Sequence, residues 1–271
     1  MMRALRPFIF HYWEAKMFRN LYADTRKIFF SRGFSGGISA ILVYQLLGSL
    51  LLWLLTVLLV EGQMASEDIA FSFTTIAAFV VTASTLFVNQ GDFEDGCIRN
   101  KLISGVKRSD AFLSAVISGM LQGVLLSFVA FVASMITLPI FSKGFMNYTI
   151  PEVADYWLII TMSCMAIGAF STAVIMIFGG SKISYVVGLA IAFVMRVLDT
   201  YVLDKLYPEK GHCTLTGAKL VLFKFIDRFI PYSYFSMEPH WDTISYIVGC
   251  GGLILISTLV GLFVFSKKEI H

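Results

Sequence analysis

The sequence predicts an all-α membrane protein: six transmembrane helices, an N-terminal amphipathic elbow helix ahead of them, and a short helix in one cytoplasmic loop. Three observations predict this. Hydrophobic residues make up 57% of the 271-residue chain and charged residues only 14%, with a mean hydropathy of +0.78, far outside the usage of soluble domains. Six apolar runs reach the length of about 20 residues that crosses a hydrocarbon core. None alternates like a strand, and in lipid every backbone polar group needs an internal partner, so each run is expected to be a helix.

The runs are Gly36 to Val60, Ile69 to Asn89, Ala111 to Leu138, Trp157 to Phe178, Ser184 to Leu203 and Thr243 to Phe265. They are expected to form one domain over residues 1–271, with an elbow segment at 1–35, a charged loop at 90–110 and a long external loop at 204–242. Basic residues set the orientation. Arg3, Arg6, Lys16, Arg19, Arg26, Lys27 and Arg32 precede the first run, Arg99, Lys101, Lys107 and Arg108 follow the second, Lys182 follows the fourth, and Lys267 and Lys268 follow the last. The alternate loops carry fewer, and the long fifth loop, although basic, counts little. Both termini are therefore expected in the cytoplasm. The charged, aromatic first 35 residues lead into a run too long for a signal-peptide core, so no cleaved signal is expected.

Between Trp13 and Phe29 the spacing is helical and amphipathic. Trp13, Met17, Phe18, Leu21, Tyr22, Ile28 and Phe29 share one half of the wheel, and Lys16, Arg19, Arg26 and Lys27 fill most of the other. Such a helix is expected in the headgroup plane, basic face toward anionic lipid. It is either a simple membrane anchor or an elbow that contributes to a docking surface, with Arg32 to Gly37 (RGFSGG) as a flexible corner.

The second loop, Phe93 to Asp110, reads FEDGCIRNKLISGVKRSD. Ile98 to Ser104 is expected to form a short helix exposing Arg99, Asn100 and Lys101, ended by Gly105. In the fifth run Arg196 and Asp199 lie three residues apart on one helical face, where an ion pair would form. Ionisable groups inside spans are functional candidates; here Arg196 either snorkels to the interface or lines the exit of a path or locks a closed state. In the long loop, LVLFKFIDRFIPYSYF is broken by Pro231, and Tyr232, Tyr234 and Trp241 suit an interfacial belt. Glycines crowd three runs: Gly119 and Gly123, Gly179 and Gly180, and Gly249, Gly251 and Gly252, read chiefly as packing devices.

Several chemistries lack their residues. Cys97, Cys164, Cys213 and Cys250 are scattered, which fits neither a disulfide framework nor a zinc site. No G-x-x-x-x-G-K-[ST] occurs, Gly217-Ala218-Lys219 having the wrong spacing, and neither H-E-x-x-H nor C-x-x-C is present. No catalytic residue, metal ligand, bound cofactor or nucleic-acid partner is expected on this chain.

The segment FEDGCIRNKLISGVKRSD resembles the cytoplasmic loop of type-2 ATP-binding-cassette (ABC) permeases, in which an acidic residue, Gly, a small hydroxyl residue, I-R-N-K-L and a later Gly form the coupling helix. Cys97 stands where that family often has Thr. The match is close over these 18 residues; elbow, six spans and long last external loop extend it loosely to the whole chain. The resemblance implies that Phe93, Glu94, Asp95, Arg99, Asn100 and Lys101 meet a separate ABC ATPase subunit, which binds ATP and Mg. It also implies a second permease subunit, short re-entrant helices in the last external loop, and export across a bacterial plasma membrane. Many Phe and Met and few charges in the spans favour an amphipathic peptide or a lipid-like cargo. Two alternatives are a membrane-embedded receptor or assembly protein, and an ion-coupled secondary transporter; the latter normally carries midplane acids in repeated halves.

Overall fold

In the computed structural model, residues 19–60, 65–142, 144–208, 213, 215–235 and 241–268 are described. They form an all-helical bundle in which six helices are long and apolar enough to span a bilayer. In chain order the elements are α1 (19–30), α2 (Arg32–Leu55), which runs on into a π turn (Thr56–Val60), α3 (Ser66–Ala70), α4 (Thr74–Glu94), α5 (Cys97–Ile103), α6 (Arg108–Phe141), α7 (Ile150–Phe178), α8 (Ile183–Leu206), α9 (Gly217–Phe229), a 3-10 turn (Pro231–Phe235) and α10 (Thr243–Lys267). Trp13, Lys16, Met17 and Phe18 of the expected elbow lie outside the described residues.

Two of the spans, α2 and α7, begin where a side chain caps them. Ser31 is extended, and its Oγ accepts the Phe34 N–H at 3.2 Å. The corner between α1 and α2 is therefore Ser31 alone. RGFSGG, expected as a flexible corner, is instead the first turns of α2, because Gly33 and Gly37 let that helix lie directly on Ser84 and Phe87 of α4. α7 opens with a capping box between Thr149 and Glu152 and with Pro151 in its first turn.

α7 is the centre of the bundle, packed by α6, α10, α4 and α8, while α2, α8 and α10 keep most of their apolar surface outward. Since lipid is as apolar as leucine, close packing and polar contacts must hold such helices together. The α6–α7 crossing uses glycine: a Cβ on Gly123 would lie 2.2 Å from the Cys164 carbonyl oxygen, and one on Gly168 2.2 Å from that of Gly119. Buried amides join the other helices. Gln45 Nε2 donates to the Ile69 carbonyl and to Thr137 Oγ1 at 3.0 and 3.2 Å, its Oε1 accepts from Ser72 at 2.7 Å, and Gln122 Nε2 donates to Ser84 Oγ at 2.7 Å.

The second span is broken in two, α3 and α4, by a turn at residues 71–73. Glu67, 7% exposed, holds this break against the α6–α7 loop: its Oε1 accepts the N–H groups of Met146 (2.7 Å), Asn147 and Tyr148 (3.3 Å). A neutral amide turned the same way accepts more weakly, and hydrogen bonds to charged groups are worth roughly 1.5–3 kcal/mol. Glu67→Gln is accordingly expected to destabilise the protein by about 1 kcal/mol and to raise hydrogen exchange at residues 146–148, read by mass spectrometry.

Candidate functional site

α4 ends at Glu94, and the chain turns through Gly96, whose left-handed φ of 66° costs a glycine little, directly into α5. Gly105, at φ 83°, ends the short helix as the sequence predicts. α5 is anchored by Ile98, which is 4% exposed and joins Phe112 and Phe265 in one apolar cluster, with Phe93 and Leu102 against it. Phe93 also seats on the end of α7, where a Cβ on Gly180 would approach its own Cβ to 2.3 Å.

α1 clamps this loop from the side. The buried Asp24 carboxylate pairs with Lys101 and accepts the Ser114 hydroxyl at 2.7 Å. Lys27 pairs with Asp92 at 2.6 Å and donates to the Val88 carbonyl at 2.8 Å. Ile28 is fully buried beside them. The remaining neighbours are C-terminal: Arg108 donates to the carbonyls of Ser266 (3.2 Å) and Lys268, and the Lys268 ammonium donates to the Ile177 carbonyl at 2.7 Å. Desolvation holds that ammonium below the usual lysine range. The described N-terminal helix, the charged loop and the end of α10 thus share one end of the bundle.

Two expectations change here. Lys27 is not exposed with Arg19 and Arg26; it turns inward, because Asp92, itself buried, needs a cation. Lys101 is not displayed either, since Asp24 takes its ammonium and leaves the side chain 18% exposed. Of the six loop residues singled out, Glu94, Asp95, Arg99 and Asn100 are exposed, whereas Phe93 and Lys101 are built into the support. Glu94 accepts a bond from Gln90. Sequence reasoning missed Ile103, 73% exposed and one helical turn beyond Arg99. An isoleucine on a polar loop helix, on the side away from Ile98, was the available signal. It also missed Asp24, the one acid in α1.

The chain matches no protein-family model and no curated protein.

At the opposite end lies the second candidate. Arg196 and Asp199 do pair, Nη1 to Oδ2 at 3.0 Å, with Asp199 only 1% exposed. Arg196 lines a cleft of about 600 Å³ together with Glu67, Asp68, Tyr148, Tyr156 and Asp204. Tyr156 packs edge-on against Phe71 at 4.6 Å and donates to the Tyr234 carbonyl at 3.3 Å. The cleft therefore offers carboxylates, one guanidinium and aromatic walls, which suits a ligand with both charge and apolar surface. Beyond it, Asp227 on α9 accepts from Tyr207 (3.2 Å) and from Trp241 Nε1 (3.1 Å). Burial, and then Asp227, push the Tyr207 hydroxyl up to about 12, so it stays a donor at physiological pH.

G-x-S-x-G, expected to be absent, does occur as Gly33-Phe34-Ser35-Gly36-Gly37. A nucleophile elbow needs a strand-to-helix turn. Here the string lies wholly within α2, and Ser35 Oγ donates to the Arg32 carbonyl at 3.2 Å. Among the described residues no group of three or more His, Cys, Asp and Glu is placed to hold a metal ion.

Proposed function

We propose that this chain is the transmembrane permease subunit of an ATP-driven ABC exporter of the bacterial plasma membrane, with both termini cytoplasmic. The observation that carries the reading is α5: a short helix displayed at one end of a membrane bundle, with Arg99, Asn100 and Ile103 outward and its other side tied to α1, α4 and α6. A displayed but rigid helix is what a cytoplasmic engine needs to push. ATP and Mg would be bound by a separate ABC ATPase subunit. Its closure would move α5, and the ion pairs at Asp24 and Lys27 would carry that movement into α1, α4 and α6 together. The outward apolar surfaces of α2 and α8 leave room for a second permease subunit, and the cleft at Arg196 and Asp199 is the exit of the path. The cargo class is an amphipathic peptide or a lipid-like molecule.

This reading separates two neighbouring residues. Arg99→Glu is expected to leave the thermal unfolding of the purified chain unchanged while lowering partner-dependent ATPase activity at least tenfold. Lys101→Glu, which would set a second carboxylate against buried Asp24, is expected to lower stability first. Full ATPase stimulation by the Arg99→Glu protein would count against docking at α5.

A further inference from the structure

A groove of about 450 Å³ runs along the bundle between α7, α8, α9 and α10, at the end away from α5. Its walls, among them Phe170, Met195, Phe225, Phe229, Gly252 and Ile256, carry almost no polar atoms. Where it passes α10, Val248, Gly249, Gly252 and Ile256 line it at helical spacing. Ser245 lies one turn before Val248 and Gly249 on that stripe, and there Arg228 Nε donates to Ser245 Oγ at 2.9 Å. The guanidinium is thus held at the mouth of the groove, over the rings of Phe229 (5.4 Å) and Trp241 (5.1 Å). That bond to Ser245 is the only hydrogen bond the Arg228 guanidinium makes among the described residues, which leaves most of its five N–H donors for a ligand. The neighbouring acid, Asp227, is 2% exposed and occupied by Tyr207 and Trp241.

An apolar trough in a membrane-spanning surface, ending at an aromatic-supported arginine, has the chemistry of one lipid: a chain for the trough and an anionic phosphate for the guanidinium. We propose that this groove binds an anionic phospholipid of the bilayer, one acyl chain lying along Gly252 and the headgroup phosphate on Arg228. The site is separate from α5 and from the cleft at Arg196, and it does not depend on the exporter reading. Gly252 makes the proposal testable without breaking the fold, because a Cβ there would meet nothing within 4 Å; the same holds for Gly251, which does not line the groove.

The test is native mass spectrometry of the full chain, delipidated in detergent and offered phosphatidylglycerol or phosphatidylcholine. The wild type is expected to retain phosphatidylglycerol at least tenfold better. Arg228→Gln should abolish that preference while still holding a chain. Gly252→Phe should lose both lipids, and Gly251→Phe, with the same bulk on the same helix, should bind as the wild type does. Equal retention of the two lipids by the wild type, or phosphatidylglycerol binding undiminished in both Arg228→Gln and Gly252→Phe, would overturn the assignment.

Discussion

Gly123→Val is expected to be the most damaging single substitution in the spans, lowering stability by about 3 kcal/mol or more. Its Cβ would fall 2.2 Å from the Cys164 carbonyl oxygen and 2.6 Å from that carbonyl carbon. Both are backbone atoms of α7, which cannot step aside as a flexible side chain would. Relief requires α6 and α7 to separate along their whole crossing, including the reciprocal contact of Gly168 with the Gly119 carbonyl. Helix propensity acts in the opposite sense, by only about 1 kcal/mol for glycine against alanine, so overpacking wins. Gly48→Ala is the control, because nothing lies within 4 Å of the Cβ it adds; it is expected to be neutral or slightly stabilising. Denaturant unfolding of the detergent-purified variants checks both, and a Gly123→Val protein as stable as the wild type would mean that α6 and α7 do not cross here.

The second large effect is expected at Asp24. This carboxylate is 6% exposed and serves two partners, Lys101 and Ser114. Its removal leaves an ammonium in a mostly buried place, and breaking a buried pair from one side costs roughly 3–5 kcal/mol. Lys101 keeps some access to water, so Asp24→Ala is expected at the lower bound, about 3 kcal/mol. The rescue is specific: adding Lys101→Met to Asp24→Leu should restore most of the loss, since replacing both partners by apolar groups of similar size is often neutral. Hydrogen exchange should show α1 and α5 loosening together in the single variant. Unchanged protection of α5 in Asp24→Ala would mean that α1 does not clamp it.

Much of this architecture could be read from residues alone, because hydrocarbon leaves so few options. Each of the six runs became helical, the second with a break at residues 71–73, and α7 extends past its predicted start to where Thr149 caps it. Gly105 ends α5 as expected, and Pro231, expected to break the long-loop run, opens the 3-10 turn that follows α9. What could not be read is which side of a polar residue faces the protein. The helical wheel puts Lys27 among the basic residues, yet its partner, Asp92, is 65 positions away and on another helix. Lys101 and Asp24 are hidden from each other in the same way. Gly119 and Gly123 announced a close approach but not its partner, which proved to be α7 of the same chain. Long-range pairing of buried polar groups carries no local pattern, and it is this pairing that sorts the charged loop into an outward face and a fixed support.

That outward face is where the proposed ATPase subunit would dock. The most direct measurement places a photo-crosslinking amino acid at Asn100 or Ile103 in the full chain, in its native membrane, and identifies the adducts by mass spectrometry. A protein carrying a P-loop ATP site is expected, captured from both positions and lost on introducing Arg99→Glu. Adducts only to lipid, or to a partner without a nucleotide site, would contradict that docking.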